Sequence, residues 1–262
     1  MRKSSSLAVV FSLISAFSLL MPSFASASGG GGVNLIDPEI DLKDEKSLQR
    51  GARLFIDYCL SCHSASFMRY NRMASDIGLT DEQLKKDMMF TTDKVGDVMK
   101  VAMSPEDAAA WFGTQPPDLS VVSRSRGLDW LYSYLLGFYE DPNPSRPFGV
   151  NNIVFPEVGM PHVLLGLQGI QRKHESHGGD EHPDEHHGAQ ELDQLVELVQ
   201  GSGSMTADEY RNAAKDLVGF LAYMGEPAKV RRQELGIWVL AFLAVFFIAT
   251  YLLKKEYWKD IH

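Results

Sequence analysis

The chain has 262 residues, 45% of them hydrophobic and 23% charged, enough for one ordinary domain or two small ones. Its mean hydropathy of -0.14 excludes a polytopic membrane protein, and its apolar content excludes a mostly disordered chain. With 25 Lys+Arg against 34 Asp+Glu, the net charge of -9 argues against nucleic-acid binding, which needs a basic face.

Residues 1–27 have the form of a secretory signal. Arg2 and Lys3 are followed by an apolar run from Leu7 to Met21, then Pro22, then the small residues Ala25-Ser26-Ala27. Removing this segment takes away two basic residues and no acid, so the exported part is more acidic still. Residues 28–233 are expected to form the exported domain. Gly29 to Gly32 make a flexible leader. A helix is predicted from Lys46-Ser47, with Leu48, Ala52, Phe55 and Cys59 at helical spacing. Thr80 and Gln83 suggest a capping box for a helix over 80–88, and Ser104-Pro105 opens another reaching Phe112. An aromatic-rich helix is predicted from Asp129 to Tyr139, with Pro142, Pro144 and Pro147 barring its continuation. Residues 140–161 read as an ordered, irregular loop. Residues 171–190, rich in His, Glu, Asp and Gly, read as a solvated insertion.

Thr206 and Glu209 suggest a second capping box, opening a helix whose apolar face runs from Tyr210 to Met224. Leu235 to Leu253 then contains no charged residue, and as a helix it spans roughly 28 Å, the thickness of a bilayer's hydrocarbon core. Residues 234–253 are therefore expected to cross a lipid bilayer once. Basic residues flank both ends, so the export signal sets the orientation, leaving 254–262 in the cytoplasm. The pattern holds no convincing strand, and the fold class is mainly α: a helical domain with long irregular loops and one C-terminal transmembrane helix.

The two cysteines lie in Cys59-Leu60-Ser61-Cys62-His63, a C-x-x-C-H sequence, the attachment signature of a c-type haem. Two thiols on one turn can form thioethers to both vinyl groups of a single haem, and the next imidazole then stands under the iron. A redox dithiol, half a zinc site or a structural disulfide are the rival readings of C-x-x-C alone. The dithiol would be expected in a βαβ context, and zinc would need a second ligand pair for which no cysteine remains. Methionine is the usual sixth ligand of electron-transfer haems. Met88, Met89, Met99 and Met224 are assigned to helices, where filling the core is the simpler duty. Met160, in Pro156-Glu157-Val158-Gly159-Met160-Pro161, sits on irregular backbone and ranks first, with Met103 as competitor. Arg124 and Arg126 follow the Pro116-Pro117-Asp118-Leu119-Ser120 turn and are either propionate partners or solvated cations.

These residues are similar to the cytochrome c1 family, the membrane-anchored haem subunits of the respiratory bc1 complex. Carrying the resemblance are Arg50-Gly51-Ala52, Tyr58 to Ser64, Met68 to Arg72, Thr92 to Asp97, Pro116 to Ser120, Arg124, Tyr132 to Leu135, Phe155-Pro156, Met160-Pro161 and Leu252 to Asp260. The resemblance implies one covalent haem c, held through Cys59 and Cys62, with His63 and Met160 as axial ligands of the iron. It implies Arg124 as propionate partner and Pro117 as part of the haem pocket. It further implies a dimeric complex with cytochrome b and a Rieske iron–sulfur protein, a cytochrome c as electron acceptor, and a single-pass protein of the inner membrane whose haem domain faces the periplasm. His162 directly after Met160-Pro161, and the 171–190 insertion, depart from the family pattern. His174, His177, His182, His186 and His187 in that insertion suggest a metal-handling alternative, but without tight ligand spacing a solvated acidic loop is favoured. An anchored cytochrome serving a periplasmic dehydrogenase or terminal oxidase is the other rival.

Overall fold

The computed structural model describes residues 33–174 and 190–259; the expected signal segment and most of the 171–190 insertion lie outside them. A two-residue strand β1 (Val33–Asn34) leads to helix α1 (Glu45–Leu54), which begins a residue earlier than its apolar pattern because Asp44 accepts from Ser47 N at 3.0 Å. Instead of running on as α-helix, α1 passes into one π turn, Phe55–Cys59. A strand β2 (Ala65–Arg69), helices α2 (Tyr70–Asp76) and α3 (Asp81–Asp87), and strand β3 (Val98–Met99) follow. The Thr80 capping box of α3 has both of its hydrogen bonds. Helix α4 (Pro105–Phe112) starts on the Ser104 cap with Pro105 in its first turn, as predicted.

Two short helices, α5 (Val122–Arg126) and α6 (Leu128–Leu136), come next. The predicted helix over 129–139 stops early: Gly137 ends it, and β4 (Phe138–Glu140) turns away as a strand. The three prolines are thus not its terminator. Within the expected irregular loop, β5 (Val150–Asn152) pairs antiparallel with β4. A four-residue turn α7 (Leu165–Gln168) precedes β6 (Gln171–Lys173), β7 (Gln190–Glu191) and β8 (Val196–Leu198). The order β5-β4-β6-β8 makes a four-stranded sheet, with β4 and β6 parallel. The expectation of no strand is therefore corrected. The described strands run from two to five residues and several mix buried with charged positions, too short for a period of two to register. The mainly α class holds, the sheet being a minor layer.

Helix α8 (Ala207–Gly225) is the backbone of the core, and its Thr206–Glu209 capping box is formed as predicted. It buries Tyr210, Ala214, Leu217, Val218, Phe220 and Leu221, and it crosses α1 so that the Phe55 and Phe220 rings stand 5.6 Å apart. The crossing is close because Gly51 has no side chain. Asp216, 8% exposed, is held at the same crossing by Arg50 Nη2 at 2.9 Å and by the hydroxyl of Ser47 at 2.6 Å. Met88, Met89, Met99 and Met224 are all buried, as expected of core fillers, although only Met224 lies in a helix: Met88 and Met89 follow the end of α3 and Met99 is in a strand.

Helix α9 (Lys229–Tyr257) is long and apolar enough to cross a membrane, with a mean hydropathy of 2.4 over its most apolar window and no face buried within the chain. Lys43 Nζ meets Glu234 at 3.1 Å, tying the first turns of α9 to the segment before α1.

Candidate haem site

The C-x-x-C-H turn grows out of the π turn. Leu60 N bonds Phe55 O at 2.9 Å, widening the helix by one residue, and both Cys62 N (3.1 Å) and His63 N (2.8 Å) then bond Cys59 O. Cys59, Cys62 and His63 therefore share one turn, with Cys59 buried in the core and Cys62 half-buried at its edge. Burial, with a smaller contribution from Cys62, pushes the Cys59 thiol up to about 12. Redox dithiols and zinc thiolates need the opposite shift, so the environment disfavours those readings of C-x-x-C. Thioether formation removes the ionisable proton altogether.

His63 is oriented by its neighbour. Its Nδ1 stands 2.7 Å from Pro117 O, so Nδ1–H donates to the carbonyl and Nε2 carries the lone pair. An imidazole fixed in this tautomer by a backbone carbonyl is the usual arrangement of a metal-ligating His. Burial lowers its proton affinity, outweighing the opposing effects of the Pro117 bond and Asp118, and this keeps the ring neutral as ligation requires. The residues fit an axial ligand and two thioethers.

The Pro117 turn is itself clamped. Asp118 accepts from Ser66 N (2.9 Å) and Ser120 N (2.8 Å), and Leu119 N bonds Ser64 O at 2.8 Å. Partial burial pushes the Asp118 carboxyl up, but the hydrogen bonds from Ser120 and Ser66 outweigh it and hold the group below the usual aspartate range. A depressed carboxyl stabilises the fold above its ordinary value, roughly pH 4, and that contribution is lost as pH falls through the folded value. Asp118→Ala is therefore expected to destabilise by about 1 kcal/mol at neutral pH. Denaturant titrations of both proteins should converge toward acid; a gap that stays constant down to pH 3 would contradict this.

Met160 is presented by a second set of contacts. Two buried asparagines shape the loop ahead of it. Asn151 Oδ1 accepts from Glu157 N (2.8 Å) and Asn152 Oδ1 accepts from Val154 N (2.9 Å) and Phe155 N (3.1 Å), while Asn152 Nδ2 donates to Tyr134 O at 2.7 Å. Val158, 3% exposed, is buried within the same loop. The hydroxyl of Tyr134 donates to Met160 Sδ at 3.4 Å. Burial pushes this phenol well above its ordinary range, so it remains a donor across physiological pH. His162 is half-buried and stacks on Phe138 with ring centroids 4.7 Å apart. Burial takes its imidazole down to about 4, so the ring is neutral.

The remaining expected residues are Pro117, Arg124 and Met103. Pro117 contributes its carbonyl to His63. Arg124 is exposed on α5 and makes no ion pair among the described residues, whereas Arg126 lies 5.0 Å over the Trp130 ring and 5.9 Å over Phe155. Met103 lines a cleft shared with Cys62, Ser64 and Asp118. Tyr134, Asn151, Asn152 and Asp118 escape sequence reasoning as site residues. A paired Asn-Asn before a Gly- and Pro-rich loop is the nearest thing to a signal for two of them. No group of three or more His, Cys, Asp or Glu able to hold a metal ion occurs among the described residues; of the insertion's histidines, only His174 is among them.

Residues 39–261 match the cytochrome C1 family. The chain is 46% identical to a cytochrome c1 of Allochromatium vinosum over 95% of its length and 98% of the relative's. It is equally 46% identical to a protein of Nitrosomonas europaea named ammonia monooxygenase gamma subunit, over 93% and 96% of the two chains. A cytochrome c1 of Rhodospirillum rubrum is 26% identical over 95% and 96%.

Proposed function

The chain belongs to the cytochrome C1 family, and from that premise we infer that it relays single electrons from a Rieske iron–sulfur protein to a cytochrome c. It is an electron-transfer subunit of the bc1 complex, a single-pass membrane protein that works with cytochrome b and the Rieske protein. Its cofactor is one covalently bound c-type haem, which supplies a reversible one-electron couple. The chain's own contribution is to tether, orient and shield. Cys59 and Cys62 would anchor the ring, and His63, held by the Pro117 carbonyl, would offer Nε2 to the iron. Met160 would offer its thioether from the loop that Asn151 and Asn152 shape. Arg124, exposed on α5, is free to meet a propionate.

The observation that carries this reading is the His63–Pro117 bond on the same turn as both cysteines. Export through residues 1–27 would put the domain on the periplasmic side, with residues 254–262 in the cytoplasm and the complex dimeric. The exported part, more acidic than the whole chain's net charge of -9, would draw a basic acceptor and make the encounter sensitive to salt. Gentle detergent purification tests the assignment. The expected particle holds this chain together with b-type haem and an iron–sulfur protein, and reduces cytochrome c more slowly as salt rises. Co-purification with a dehydrogenase or terminal oxidase, and no b-type haem, would overturn it.

A further inference from the structure

Tyr134 stands in a ladder of rings built on one stripe of α6 and its flanks. Arg126, Trp130, Tyr134 and Phe138 recur every four residues. Trp130 and Tyr134 stack at 5.0 Å and 9°, and Phe138 meets the Tyr134 ring edge-on at 5.1 Å and 69°. The loop that carries Met160 closes on this ladder at both ends. Phe155 packs edge-on against Trp130 at 6.2 Å, and His162 stacks on Phe138. The Tyr134 ring is thereby gripped on two sides, which fixes the direction of its hydroxyl. Among the described residues that hydroxyl has one hydrogen-bond partner, Met160 Sδ. A thioether is a weak acceptor, so a half-buried phenol, gripped between two rings and spent on it, points to a duty at the sulfur.

We propose that Tyr134 is a positioning residue for the Met160 thioether, orienting its sulfur and drawing electron density from it so that the reduced state of the site is favoured. This rests on Met160 being the iron's ligand, as inferred above. A thioether has two lone pairs: one can face the iron while the other accepts from the phenol. Electron withdrawal from the sulfur favours the electron-rich ferrous state, so losing the bond lowers the reduced fraction. A single hydrogen bond of ordinary strength corresponds to a change of about two- to fivefold in the ratio of reduced to oxidised protein.

The test uses the full chain with its haem attached, read by potentiometric titration and by the long-wavelength sulfur-to-iron charge-transfer band. Met160→Leu should abolish the band. Tyr134→Phe should keep a shifted or weakened band and lower the reduced fraction two- to fivefold at fixed potential. If Met160→Leu leaves the band intact, the ligand assignment fails and this inference with it. If Met160→Leu removes the band but Tyr134→Phe matches the parent in both readouts, the role of Tyr134 is overturned while the ligand stands. Should Tyr134→Phe not accumulate, fluorotyrosine incorporated at 134 keeps the ring and strengthens the donor. The reduced fraction should then rise, and an unchanged titration would refute the proposal.

Discussion

Met160→Leu should leave the haem attached to the chain while lowering its reduction potential by on the order of 0.1–0.3 V, a large share of the range that axial ligands command. Leucine preserves the volume but offers no lone pair. The loop itself should survive, because its supports are the Asn151 and Asn152 hydrogen bonds, the buried Val158 and the His162–Phe138 stack, none of which uses the sulfur. The variant separates ligation from folding. A potential within 0.03 V of the parent, in a protein with the parent's melting profile, would mean that the iron takes its sixth ligand elsewhere, with Met103 beside Cys62 the next residue to replace.

The largest expected effect on folding comes from Gly51→Ala. A Cβ at this position would lie 2.0 Å from Asp216 O and 2.9 Å from Phe220 Cβ. Neither neighbour can swing aside: one is α8 backbone and the other is the root of a buried side chain. Alanine's helix propensity favours the variant by about 1 kcal/mol, but α1 and α8 must separate to admit it. Separation loosens the Phe55–Phe220 contact and the Arg50–Asp216–Ser47 cluster together. The net cost should be about 3 kcal/mol or more, a fall in Tm of roughly 6–12 °C for a domain this size. Thermal unfolding followed by circular dichroism measures it, and a Tm within 2 °C of the parent would show that the crossing can open at little cost.

Helices that begin on a side-chain cap were legible from sequence, because the cap and the first turn are local. Thr80 with Gln83, Ser104 with Pro105, and Thr206 with Glu209 all start helices where their chemistry says they should. The membrane-crossing helix was legible for the same reason, its signal being a continuous apolar run. Elements that depend on distant partners were not. Phe138–Glu140 looks like the end of an aromatic helix until β5 is there to pair with it. The π turn at Phe55–Cys59 leaves no mark on the apolar spacing, which continues through it. The site divides along the same line. Cys59, Cys62 and His63 are adjacent in the chain and announce themselves by spacing. The Pro117 carbonyl lies 54 residues from His63, and Tyr134 lies 26 from Met160, so these two contacts emerge from the fold alone. Arg124, which the resemblance marks as propionate partner, and Arg126 are both exposed on α5, and Arg126 lies over the Trp130 and Phe155 rings, a contact between distant residues that spacing does not reveal.

Peptide mass spectrometry of the chain, made in a host that attaches haem, bears most directly on the whole account. The fragment containing Cys59 to His63 should carry the mass of one haem, and neither cysteine should react with an alkylating reagent after denaturation. A haem-free fragment in which both thiols alkylate would contradict it.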